Sequence, residues 1–236
     1  MIPLFYELIR YIYLPRKIHD LSEKINFILD RLATVIFGLV DEHKVMPAYN
    51  LTKDDLINLC GGWPSEQIRS FTCFIKSVSA EALHINIETD LYKVERRINF
   101  ESGLISNILM DVFEPGKGIG TRLFCNQVKE ARRMGFRKMT TMAVNPDGIT
   151  DWVGYYCWAR LGYQMHPSDH EEFMEMMHYL HRPETNIQEL LETASGREIW
   201  IRDGFTWLGE FYLHDTSQNL IYLKTYLLEK NKDYDL

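Results

Sequence analysis

An α+β fold, with a central, mostly antiparallel sheet flanked by helices and with helical N-terminal and C-terminal extensions, is what this 236-residue chain predicts. Three observations carry it. Between Phe71 and Phe113 the apolar residues recur every second position. The last of these alternating segments runs through three closely spaced glycines straight into an amphipathic helix, and both ends of the chain show three- and four-residue apolar spacing. A period of two buries one face of a strand, and a period near 3.6 buries one stripe of a helix.

From Met1 to about Asn58 the pattern reads as helical, with Ile18, Leu21, Ile25, Ile28, Leu29, Leu32, Val35 and Ile36 on one stripe and Pro15 as an early interruption. Thr52 or Asn50 is placed to cap a further short helix, after which Gly61, Gly62 and Pro64 break the chain. Phe71 to Ile75 starts a first strand, and Leu83, Ile85 and Ile87 alternate with His84, Asn86 and Glu88 in a second. Tyr92, Val94, Arg96, Ile98 and Phe100 form one face of a third, and Ile105 to Phe113 is the fourth. After the glycines, Ile119, Leu123, Phe124, Val128 and Ala131 form an apolar stripe. Lys129, Arg132, Arg133, Arg137 and Lys138 cluster at its end, where cations complement a helix C-terminus on a solvated face.

Lys138 to Val144 reads as a strand and Trp152 to Leu161 as a helix ending in Leu161-Gly162-Tyr163, with Gly162 supplying the left-handed exit. Beyond Pro167 come a Met-rich acidic helix from Glu171 to Leu180, another around Gln188 to Leu191, a strand within 204–213 and a last helix from about Asn219 to Glu229. The chain is accordingly divided into an N-terminal helical region packed on the core (1–65), a core (66–166) and a C-terminal, mainly helical extension (167–236).

A formal net charge of −7 argues against a mainly electrostatic nucleic-acid binder. Cys60, Cys73, Cys125 and Cys157 are widely spaced with no C-x-x-C pair, which suits a reducing, cytoplasmic compartment. The aromatic N-terminus (Leu4, Phe5, Leu8, Ile9, Ile12, Tyr13) lacks a basic n-region and is too short to span a bilayer, so a helix packed on the core or on a second subunit is expected. His170, His178 and His181 show no third ligand at metal-site spacing, and no metal is expected.

The chemistry concentrates in Pro115-Gly116-Lys117-Gly118-Ile119-Gly120-Thr121-Arg122. Glycines admit a ligand close to the backbone, and the first free amides of a helix point at it with the positive dipole end behind them. Lys117 and Arg122 add positive charge. The lysine sits between Gly116 and Gly118 with no hydroxyl residue after it, so this is not a P-loop. G-x-G-x-G after a run of strands also departs from the dinucleotide fingerprint.

The segment resembles the pyrophosphate loop of the GNAT superfamily, the acyl-CoA-dependent N-acyltransferases, whose pattern is Arg/Gln-x-x-Gly-x-Gly/Ala, with Pro115 in place of the first Arg or Gln. Leu161-Gly162-Tyr163 is similar to the family's Leu-Gly-Phe ending at the expected distance, so the resemblance covers roughly residues 70 to 166. It implies a GNAT-like mixed sheet and makes 66–166 an acyl-CoA-binding core. It also implies two helices between the family's first and second strands, for which there is no room after Phe71; either the N-terminal helices supply that packing or the first strand lies earlier.

By the resemblance, pantetheine pairs with the backbone of the fourth strand at Asp111, Val112 and Phe113, and pyrophosphate sits on Lys117, Gly118, Ile119, Gly120 and Thr121, with Arg122 beside them. The family's usual tyrosine position holds Trp158, which cannot donate a proton at neutral pH. Tyr155, one helical turn earlier, is the candidate proton donor, with Tyr156 less well directed. Asp111, Glu101 and Glu114 are the carboxylates nearest the sheet, and Asp111 is the candidate base. The family's helix-start asparagine maps to Asp151 and its small residue to Gly154, with Asn145 as a second candidate.

The implied function is transfer of an acyl group, most simply from acetyl-CoA, to an amine by direct attack, with acyl-CoA and the amine acceptor as partners. The competing readings are a non-catalytic CoA-binding or interaction module and an effector acylating a macromolecular amine such as aminoacyl-tRNA. The terminal regions either cover the active site or make a subunit contact, as in a homodimer.

Overall fold

Alternation of inward, mostly apolar and outward polar side chains builds the antiparallel centre of the molecule, and burial follows it from Leu83 along β3 and through β4. The computed structural model describes residues 36–40, 48–62, 68, 71–79, 81–145, 154–232, 234 and 236. Its elements run β1 (Ile36–Val40), α1 (Lys53–Leu59), β2 (Phe71–Ser77), β3 (Ala82–Thr89), β4 (Tyr92–Asn99), β5 (Leu104–Val112), α2 (Ile119–Arg133), β6 (Lys138–Ala143) and α3 (Gly154–Arg160). They continue with β7 (Gln164–Met165), α4 (His170–Tyr179), α5 (Ile187–Glu192), α6 (Ala194–Asp203), β8 (Trp207–Tyr212) and α7 (Gln218–Glu229). The strands join in one mixed sheet in the order β1-β2-β3-β4-β5-β6-β8-β7. The β1–β2 and β5–β6 pairs are parallel and the others antiparallel. The expected α+β class, a mostly antiparallel sheet flanked by helices, is the class observed.

Two expectations are corrected. Residues 36–40 are a strand, not the end of a helical region. Ile36-Phe37-Gly38-Leu39-Val40 is a short, continuous apolar run, which fits a buried strand as well as a helix. Its parallel pairing with β2 places a strand before Phe71, one of the two alternatives left open by the sequence. The stripe from Ile18 to Val35, the aromatic N-terminus, Asp151 and Trp152 lie outside the described residues.

The sheet also does not end at residue 166. β8 is inserted between β6 and β7, so the C-terminal region completes the sheet rather than extending a finished one. It enters because Trp207 and Phe211 alternate inward with Gly209 and are buried. Phe211 packs edge-on against Phe124 of α2 and tilted against Tyr163, and Trp158 of α3 closes the cluster against both Phe124 and Tyr163. Rings of this size dominate a core, each contributing on the order of 2–3 kcal/mol by burial.

α1 starts in a capping box: the Thr52 side chain accepts from the Asp55 amide, and the Asp55 carboxylate accepts from Thr52 N–H at 2.8 Å. Of the two capping candidates Thr52 is the one used. Asp55 also receives Arg133 from the end of α2, at 2.6 Å, which ties the two helices together. α3 ends as its sequence indicates: Gly162 is left-handed (φ 93°) and the Tyr163 N–H returns to the Trp158 carbonyl at 3.1 Å.

Two predictions follow from these helix ends. A Cβ at Gly162 would stand 2.6 Å from the Asn219 carbonyl oxygen of α7 in a left-handed backbone, so Gly162→Ala is expected to lower unfolding free energy by more than about 2 kcal/mol in urea denaturation. At the start of α1, the hydrogen bonds from Thr52, with Arg133 close by, hold the Asp55 carboxyl below its ordinary value of 3.8. A depressed folded-state pKa gives stability that is present above the unfolded value and lost as pH falls through the folded one. Asp55→Ala should therefore cost about 1 kcal/mol at neutral pH, and the gap to wild type should close as the pH falls through the lowered folded-state value in parallel denaturation curves.

Candidate functional site

The central strands part where β5 leaves β6. Pairing between them covers only Leu104–Asn107 against Lys138–Thr141, while β5 continues to Val112. On its other edge β5 pairs with β4 throughout, but the register steps from Glu95↔Leu109 to Arg96↔Asn107 and passes over Ile108. That extra residue is a β-bulge, which bends its strand and increases the local twist. β5 therefore swings away from β6 immediately after Asn107.

The bulge also decides which peptide groups face the gap. The Phe113 N–H donates to the Leu91 carbonyl at 3.0 Å, so Leu91/Phe113 is a hydrogen-bonded pair of the β4–β5 ladder. Antiparallel pairs alternate, which puts Lys93/Asp111 and Glu95/Leu109 in the same class. Met110 and Val112 therefore turn their N–H and C=O away from β4 and into the gap. An edge of this kind accepts an extended, amide-bearing ligand as an added strand. Of the three backbone positions expected to meet pantetheine, Val112 has this orientation, which Met110 shares; Asp111 and Phe113 face β4.

The glycine loop stands at the same end. Gly118 is the left-handed N-cap of α2 (φ 76°), Gly116 precedes it at φ 83°, and neither a capping side chain nor a first-turn acid satisfies the helix start. The first helical bond is Arg122 N–H to the Gly118 carbonyl, at 3.0 Å, so the amides of Ile119, Gly120 and Thr121 precede the ladder. A Cβ at Gly116 or Gly118 would meet nothing within 4 Å, so these glycines serve backbone conformation and leave open space above the loop. A Cβ at Gly120 would lie 3.5 Å from Val112 Cγ2 and 3.7 Å from Met110 Cε. The helix start and the turned-out strand are thus neighbours. Lys117 is exposed and pairs with Glu114 at 2.6 Å, and Arg122 is exposed on the first turn.

Beneath the parting strands lies a buried polar network that the sequence reading did not identify. Asn107, the last β5 residue paired with β6, donates to the Tyr163 hydroxyl at 2.6 Å. Its side-chain carbonyl accepts from Gln127 at 2.9 Å, and Gln127 also donates to the Leu59 carbonyl at 3.0 Å. Thr141 Oγ1 donates to the Asn107 carbonyl at 3.1 Å. Burial pushes the Tyr163 phenol well above its ordinary range. The signal was available: Asn107 occupies an inward position two residues after Ile105, and Gln127 interrupts the apolar stripe of α2.

The remaining candidates disperse. Tyr155 is buried and its hydroxyl donates to the Ile201 carbonyl at 2.7 Å, while its own carbonyl accepts from the Trp200 and Trp207 indoles. These bonds join α3 to α6 and β8 and engage the hydroxyl expected to donate a proton. Tyr156 is half-buried near Arg160 and Arg197, and Trp158 is in the aromatic core. Asp111 is exposed, on the sheet face opposite Met110 and Val112; Glu101 is exposed at the β4–β5 turn, the far end of β5. Asn145 is tied to Gly204 and Thr206, and Gly154 opens α3. Most of the basic cluster is internally matched: Arg132 pairs with Asp215, Arg133 with Asp55 and Glu130, Lys138 with Glu210, and Arg137 donates to the Ser102 carbonyl. Among the described residues no group of three His, Cys, Asp or Glu side chains is placed to hold a metal, and no helix is long and apolar enough to cross a membrane.

No protein-family model matches the chain, and no curated protein matches it. Solved structures do. A presumed acyl-CoA N-acyltransferase from Klebsiella pneumoniae aligns with 57% of this chain and 74% of its own, at 13% identity and a TM-score of 0.33. The PaiA N-acetyltransferase from Thermoplasma acidophilum, solved with coenzyme A, aligns with 56% of this chain and 61% of its own, at 12% identity and a TM-score of 0.32. N-acetylglutamate synthase from Neisseria gonorrhoeae, solved with coenzyme A and N-acetyl-glutamate, aligns over 57% of this chain and 26% of its own, at 16% identity and a TM-score of 0.29. These identities and scores are too low to transfer chemistry from any neighbour. The three solved structures named are thus an acyl-CoA N-acyltransferase, an N-acetyltransferase and an N-acetylglutamate synthase, the last two solved with coenzyme A.

Proposed function

We propose that this protein is an acyl-CoA-dependent N-acyltransferase that moves an acyl group, most simply acetyl, from the thioester to an amine by direct attack. The observation that carries the reading is the juxtaposition of two unsatisfied backbone surfaces: the Met110 and Val112 peptide groups in the β5–β6 gap, and the free amides of Ile119, Gly120 and Thr121 beside them. One suits the amides of pantetheine and the other a pyrophosphate. Arg122 adds charge at the phosphate end.

An acyl-CoA supplies the activated thioester. The chain's part is to lay that arm along β5 and leave the carbonyl open to a neutral amine. Nitrogen attacks the carbonyl carbon, the C–S bond breaks, and the nitrogen's proton passes to the departing thiolate or to water. Holding the reactants in this geometry can account for much of the rate, so the engagement of Tyr155 by Ile201 does not remove the activity. That engagement does favour a second reading, a CoA-binding module without turnover.

Calorimetry with acetyl-CoA tests the binding step. Wild type should bind in the micromolar range, and Gly118→Glu, whose carboxylate would face the phosphates, should weaken binding by more than about tenfold, or about 1.4 kcal/mol. Gly118→Ala, with about 1 kcal/mol of left-handed strain and no added charge, should retain most of the affinity. Absence of binding by folded wild type would overturn the acyl-CoA reading. CoA release from the thioester with a panel of amines then separates the enzyme from the binding module.

A further inference from the structure

Arg96 is the most anomalous side chain in the core. It is 1% exposed, inward on β4 between Val94 and Ile98, and among the described residues it makes no ion pair with a carboxylate. Burying a guanidinium costs several kcal/mol, and a well-packed apolar side chain at the same position would avoid that cost. Glu95, its neighbour in sequence, turns to the other face and bonds to His84 at 2.7 Å. Arg96 instead lies among the Cys60 thiol and the Tyr92 and Tyr163 hydroxyls, with its Nε–H lacking any acceptor.

Its bonds explain its place. One terminal nitrogen donates to two backbone carbonyls, that of Glu95 on β4 at 3.1 Å and that of Leu109 on β5. Glu95 and Leu109 are the last pair before the register steps over Ile108. The guanidinium thus bridges both strands at the bulge itself, and from this point the peptide groups of Met110 and Val112 turn into the gap.

We propose that Arg96 is the positioning residue of the ligand track: by clamping the two strands at the Ile108 bulge it holds Met110 and Val112 ready to pair with an extended pantetheine-like chain. The proposal rests on the acyl-CoA reading for the ligand but not for the clamp. A clamp fixed before binding removes the ordering of β5 from the cost of association. Its effect falls on the part of the ligand that pairs with β5, and not on the part held by the glycine loop.

The test uses full-length wild type, Arg96→Met and Arg96→Lys, with CoA and ADP as probes; ADP carries the pyrophosphate and lacks pantetheine. Expected is a loss of CoA affinity of about tenfold or more in Arg96→Met, ADP affinity within about twofold of wild type, and partial recovery of CoA affinity in Arg96→Lys. Amide hydrogen exchange on the ligand-free proteins should show faster exchange at Leu109 and Asp111 in Arg96→Met, with α2 unchanged. Equal losses for CoA and ADP, no loss for either, or unchanged exchange at Leu109 and Asp111 would overturn the proposal. If Arg96→Met does not fold, Arg96→Lys decides on the same two measurements, since an ammonium in the clamp should give the same selective loss at smaller size. If wild type binds no CoA, the function reading fails, while hydrogen exchange still decides the clamp.

Discussion

One inserted residue, Ile108, governs the geometry of the candidate site. A regular β5 would stay beside β6 and keep every peptide group within the sheet. With the bulge, the strand bends after Asn107 and the sheet opens along one seam. Buried polar contacts fix the base of that seam: Asn107 with Tyr163 and Gln127, Thr141 with the Asn107 carbonyl, and Arg96 with carbonyls on both strands. Such groups are costly inside a protein unless matched, so their bonds tolerate little change in the strand geometry around them.

The helices sit where they do because the same sheet face is apolar from β2 to β8. α2 brings Phe124 onto that face beneath Tyr163 and Phe211, and its start then falls against Met110 and Val112. Packing at one end of the helix therefore sets the position of the free amides at the other. The C-terminal region belongs to this arrangement. β8 supplies Trp207 and Phe211 to the core, and α7 packs close enough to the end of α3 that Gly162 has no room for a side chain.

Much of this is legible in the sequence where one local pattern has one physical solution. The alternation from Phe71 to Val112 has a period of two and forms antiparallel strands. Gly162 marks a left-handed position, and the structure gives it φ 93°. The apolar run at 36–40 was ambiguous because a short buried strand and a short buried helix segment share one hydrophobic signature. Tyr155 shows the opposite limit: its place on a helix was readable, but the partner of its hydroxyl is Ile201, 46 residues further on.

By itself the sequence determined the α+β class, the four consecutive strands, the glycine loop at the start of α2 and the left-handed end of α3. These depend on hydrophobic period and on backbone conformations that glycine adopts most readily, both of which act over a few residues. Tertiary structure alone decided that β8 lies between β6 and β7, that Ile108 is bulged, and that Met110 and Val112, rather than Asp111 and Phe113, face the gap. Those outcomes depend on register between strands, and register is set by contacts between residues far apart in the chain.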